Sequence, residues 1–130
     1  MFERELLAGW GDIDFNGHMR NTAYLDKSGD LRMLYFAERG FPMSEFVRLK
    51  MGPVVMRDEI DYSREVNLLE PLRGTLALSG LSENGSRWRL RNKFWKADGK
   101  LAARVTSSGG ACRGLPVSQV TAPPRRRTNL

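Results

Sequence analysis

Apolar and polar residues alternate along this chain with two different periods, and the change of period divides it. Over residues 22–38 (TAYLDKSGDLRMLYFAE), Tyr24, Ser28, Leu31 and Tyr35 share one face at helical spacing. Leu34, Phe36 and Ala37 widen that face near its end. The spacing predicts a helix about 25 Å long, with Asn21 as its N-cap and Gly40 as its stop. Gly29, in the middle, costs about 1 kcal/mol against Ala and suggests close packing on something flat. Pro42 opens a second, shorter helix that runs to about Leu49, and Gly52 closes it.

From Pro53 the period is two. In VVMRDEIDYSREV, Val54, Met56, Ile60 and Tyr62 alternate with Arg57, Glu59 and Asp61. TLALSGLS (75–82) predicts a further strand, and Asn84-Gly85 a hairpin turn after it. Residues 87–95 place Arg87, Arg89, Arg91 and Lys93 on one face and Trp88, Leu90 and Phe94 on the other. Asp98-Gly99 is a second hairpin turn, and LAARVTSSG (101–109) follows with Leu101, Ala103 and Val105 inward. A weaker strand is read at 3–10. The order of strand, long helix, short helix and antiparallel strands is α+β. Past Gly110 the pattern fades. Residues 116–120 read as an edge segment, and 122–130 as a disordered basic tail. A single domain over 1–115 accounts for the rest.

Composition changes this picture little. The 130 residues suit one domain, and 41% hydrophobic content supplies one core. A net charge of +6 favours anionic partners, that is phosphates, nucleotide-bearing cofactors or nucleic acid. Cys112, the one cysteine, allows no intrachain disulfide, and no apolar run has the length of a membrane span. A cytoplasmic protein is expected.

Candidate chemistry lies between the first strand and the long helix, in GWGDIDFNGHMRN (9–21). Three glycines, two acids, two asparagines and the only histidine fall within these residues. Aspartates serve turns, and a positioned carboxylate also serves as base or nucleophile. The helix start that follows has unpartnered N–H groups and a positive dipole, which suit a developing oxyanion. Gly17 lets a substrate approach the backbone. One His and one Cys do not make a metal set.

Asp12, Asp14, Gly17, His18, Asn21 and Tyr24 spell Asp-x-Asp-x-x-Gly-His-x-x-Asn-x-x-Tyr. This resembles the signature of hotdog-fold acyl-CoA thioesterases of the 4-hydroxybenzoyl-CoA thioesterase-like group, over roughly residues 5–110. The resemblance implies a long central helix wrapped by a curved antiparallel sheet, assembled as a homodimer or homotetramer with sites between subunits. It implies Asp14 as the catalytic carboxylate, a backbone N–H near Asn21 polarising the thioester carbonyl, His18 and Asn21 organising the loop, and Tyr24 lining the pocket. An acyl-CoA is the implied substrate, with no metal or redox cofactor. Arg57 and Arg89, together with Arg87 and Arg91, are candidates for the phosphates of coenzyme A. The run Gly109-Gly110-Ala111-Cys112-Arg113-Gly114 departs from an apolar final strand and leaves that strand open.

Three other readings compete. Asp14, Asn16 and His18 partly resemble the Asp-x-Asn-Pro-x-His of enoyl-CoA hydratases and dehydratases, with the proline missing and the histidine one place early. A non-catalytic acyl-CoA-binding protein keeps the pocket, yet gains little from a carboxylate beside an anionic ligand. A nucleic-acid-binding domain suits the charge, but Trp88 and Phe94 share the face opposite the arginines, so neither a nucleic acid nor a membrane is expected as partner.

Overall fold

The structure, a computed structural model, describes residues 2–40, 42–49, 52–83 and 87–112. Strand β1 (Phe2–Leu7) leads through a 3₁₀ turn (Trp10–Asp12) into helix α1 (Asn21–Glu38). Helix α2 (Met43–Leu49) follows, then strands β2 (Gly52–Tyr62), β3 (Pro71–Leu81), β4 (Arg87–Lys96) and β5 (Leu101–Cys112). The five strands form one antiparallel sheet in the order β1-β3-β4-β5-β2, so β1 and β2 are its edges.

The helix lies on one face of this sheet. Tyr24, Ser28, Leu31 and Tyr35 are buried, as their spacing predicts. Beneath them lie Leu72 and Leu76 of β3, Trp88, Leu90 and Phe94 of β4, and Ala103 and Val105 of β5. β4 is the clearest strand, with Trp88, Leu90, Asn92 and Phe94 buried and Arg87 and Arg89 exposed. The close approach of helix and sheet is set at Gly74, where an added Cβ would lie 2.8 Å from both Leu31 Cδ1 and Leu6 Cδ1.

Several sequence expectations change. Asn21 is not the N-cap: Arg20 holds that place in extended conformation, and no side chain caps the helix. Arg20 is fixed by its N–H to Asp12 O (2.8 Å) and by its guanidinium to Ile13 O, which leaves Asn21 as the first helical residue. Gly29 meets no flat neighbour, since the nearest atom to an added Cβ is Arg32 Nη2 at 3.7 Å. β1 stops at Leu7 rather than reaching Trp10, and β2 stops at Tyr62, so that Ser63–Val66 are not strand.

β5, in contrast, continues through the glycines to Cys112. The reason is packing. A Cβ at Gly109 would lie 1.9 Å from Val54 O and 2.7 Å from the Trp88 ring, so only glycine fits between the indole and the neighbouring strand. The Trp88 indole N–H donates to Gly110 O at 3.0 Å. The expected Asn84-Gly85 turn, the 116–120 edge segment and the 122–130 tail lie outside the described residues.

Candidate functional site

The loop between the 3₁₀ turn and α1 is built around two carboxylates with separate tasks. Asp12 is structural. Its Oδ2 accepts from Gly9 N–H (2.8 Å) and pairs with Lys27 Nζ of α1 (3.0 Å), tying the loop to the helix. Burial alone would raise the Asp12 carboxyl, but the Lys27 hydrogen bond, the Gly9 N–H and the charges of Lys27 and Arg20 together hold it below the usual carboxylate range.

Asp14 is held differently. Its backbone N–H donates to His18 O (2.7 Å), and its carbonyl accepts from Gly17 N–H (3.1 Å), which closes a tight turn. Gly17 has φ +80°, a conformation glycine adopts without strain. Asp14 Oδ1 accepts from the N–H groups of Asn16 (2.8 Å) and His18 (3.0 Å). No hydrogen bond among the described residues engages Oδ2. The carboxylate is therefore fixed through one oxygen, with the other unused.

Asp14, Asn16, His18, Tyr24 and Tyr62 line one cavity of about 320 Å³ together with the stretch Ser63–Glu65. Tyr24 meets Tyr62 edge to face, with ring centroids 5.6 Å apart, and its phenol is pushed up to about 12 by burial and then by neighbouring Tyr62, Glu70 and Glu65. Gly17 lies in an adjoining cavity of about 580 Å³, which shares Asp14 and is bordered by the exposed rings of Trp10 and Phe15. An added Cβ at Gly17 would meet nothing within 4 Å, so the approach to this turn is open.

His18 does not reach across to Asp14 with its ring. Its Nε2 lies 2.9 Å from Glu65 Oε2. Glu65 belongs to a stretch that sequence reading placed in a strand. That stretch is stitched down by Ser63 N–H and Arg64 N–H to Ala102 O (both 2.9 Å), by Met19 N–H to Val66 O (2.8 Å), and by Lys96 Nζ to Glu65 O (2.8 Å). Glu65 was missed because its only sequence signal was a lapse of alternation after Tyr62.

Asn21 lines neither of these cavities. It stands at the helix start, where no side chain satisfies the first N–H groups. Arg57 and Arg89 come together elsewhere. With Arg87, Met56 and Trp88 they border a cavity of about 490 Å³ that none of the Asp14-loop residues touches. Arg57 is paired with Glu59 (2.9 Å). Arg91 does not join that cavity.

The model of the thioesterase-like superfamily matches residues 8–114. The chain belongs to that superfamily. Solved structures agree on the fold. The 1,4-dihydroxy-2-naphthoyl-CoA thioesterase of Synechocystis is 14% identical, with a TM-score of 0.80 over 92% of this chain and 90% of that one. A Staphylococcus aureus protein solved in complex with CoA is 18% identical, with a TM-score of 0.81 over 99% and 89%. A probable thioesterase from Escherichia coli is 16% identical, with a TM-score of 0.78 over 92% and 96%. None of the curated proteins matches significantly. This member of the superfamily has the hotdog fold, a long helix against a curved five-stranded antiparallel sheet. No helix among the described residues is long and apolar enough to cross a membrane.

Proposed function

We propose that this chain hydrolyses an acyl-CoA thioester to a free acid and coenzyme A. The observation that carries the reading is the Asp14 carboxylate, fixed through Oδ1 and unengaged at Oδ2, on a cavity just upstream of an uncapped helix start. Superfamily membership and the CoA complex of a structural relative support the same chemistry.

Asp14 Oδ2 takes a proton from water as the hydroxyl adds to the thioester carbon, or it attacks that carbon itself and the mixed anhydride left on Asp14 after thiolate departure is then hydrolysed by water to the free acid and the carboxylate. The carbonyl oxygen gains charge and is stabilised by the N–H groups near Asn21 and the positive end of the α1 dipole. The C–S bond then breaks and the thiolate of coenzyme A departs, taking up a proton. His18, held by Glu65, keeps the loop in place, Gly17 admits the substrate, and Tyr24 walls the acyl end. Arg57 and Arg89, with Arg87 alongside, hold the phosphates of coenzyme A as charge-assisted partners. No metal or redox cofactor enters this scheme.

A second copy of the chain is part of the reading. β2 is an edge strand of 11 residues that carries exposed Val54, Met56 and Tyr62, a combination that invites pairing. Thiol release from short, medium, long-chain and aromatic acyl-CoAs, with Asp14→Asn beside the wild type, tests the chemistry. Turnover that falls 10²–10⁴-fold in a folded Asp14→Asn is expected. Binding without turnover by the wild type would favour a non-catalytic acyl-CoA-binding protein instead.

A further inference from the structure

The inner face of the sheet is covered unevenly. On β5, Ala103, Val105 and Ser107 are completely buried beneath α1. Their register partners on β2 are Tyr62, Ile60 and Asp58. Tyr62 is 56% exposed, Asp58 is exposed and Ile60 is half-buried. The helix therefore leaves an open shelf along β2. One end of this shelf is the Tyr24–Tyr62 ring contact, which also walls the Asp14 cavity. The other end is polar: Ser107 Oγ donates to Asp58 Oδ1 at 2.5 Å, and Asp58 exerts its charge on Arg32 of α1. Arg32 is half-buried, and it makes no hydrogen bond or ion pair with any described residue. Its guanidinium leans back over Gly29, where an added Cβ would lie 3.7 Å from Nη2.

Eight residues separate Asn21 from Gly29, so the guanidinium stands roughly 12 Å along the axis from the helix start. That matches an extended acyl chain of about ten carbons, since a C–C bond near 1.5 Å advances a zigzag chain by roughly 1.25 Å. A terminal methyl laid over Arg32 and Asp58 would displace their water and leave the donors of the one and the free lone pairs of the other without partners, which is costly. A carboxylate would meet the Asp58 charge. A hydroxyl accepts from Arg32 and donates to Asp58.

We propose that the α1–β2 shelf takes a medium-chain acyl group hydroxylated near its far end, with Arg32 and Asp58 as the residues that read the hydroxyl. This rests on the thioesterase reading above. The test compares 10-hydroxydecanoyl-CoA with decanoyl-CoA and with the CoA half-thioester of decanedioic acid, using wild type, Arg32→Met and Asp58→Asn. Wild type is expected to favour the hydroxylated chain at least tenfold in kcat/KM over both others. Each folded variant loses that preference while keeping turnover of the plain chain. An equal preference in wild type and variants overturns the inference and leaves the thioesterase reading intact, as does turnover confined to short or aromatic acyl groups. Calorimetric titration of free 10-hydroxydecanoate needs no turnover. Binding to wild type that weakens at least tenfold in Arg32→Met or Asp58→Asn supports the shelf even where every thioester is inert, and equal binding by all three overturns it.

Discussion

The two aspartates of the loop, two residues apart in sequence, diverge because of what their oxygens meet. Asp12 is consumed by Gly9 and Lys27, whereas Asp14 keeps one oxygen unengaged. Substitutions should separate them. Asp14→Asn retains a carbonyl oxygen for the Asn16 and His18 N–H groups, so its melting temperature should stay near that of wild type while thiol release collapses. Asp12→Ala loses charge-assisted bonds and should cost roughly 1.5–3 kcal/mol in urea denaturation. The Asp12 carboxyl is depressed in the folded state, so its stabilisation is full above the ordinary carboxylate range and is lost as pH falls below about 4. Lys27→Met should remove most of that acid-side dependence, which melts between pH 2 and 6 would read. Tyr24 acts at the opposite extreme: its phenol is raised to about 12, so its contribution is complete below pH 10 and fades between 10 and 12. Phosphate contacts are tested separately, by a raised KM for Arg57→Gln and Arg89→Gln with kcat unchanged.

At the scale of elements, periodicity made α1, β4 and most of β2, β3 and β5 legible, because each has one face in the core and one in solvent. The Asp-x-Asp-x-x-Gly-His motif was legible for a different reason, since its residue types serve turns and chemistry at once. What could not be read depends on contacts distant in sequence. Gly109 looks like a strand breaker until the Trp88 ring and the Val54 backbone are placed against it. Glu65 reads as one more polar strand position until the fold folds it back onto His18. The helix cap fell to Arg20 because the chain before it is pinned to Asp12 and Ile13. Glycine substitutions should rank accordingly. Gly109→Ala collides with backbone and an indole, and should cost more than 3 kcal/mol. Gly74→Ala meets two leucine methyl groups that can rotate, so it should cost less, and paired urea titrations would show the order.

For the molecule as a whole, the unpaired β2 edge and the shelf beside it belong to the same side, so closing one shelters the other. Sedimentation equilibrium should give at least twice the 14.8 kDa chain mass. A monomer at micromolar concentration would remove the second copy from the proposed assembly. The bare start of α1 carries a different consequence. Ser or Asp at position 20 would cap the helix and is worth about 1 kcal/mol, yet the new side chain would occupy the donors that the proposed reaction uses. Directed evolution for heat resistance alone should therefore enrich such changes at Arg20 and return robust proteins that turn over slowly.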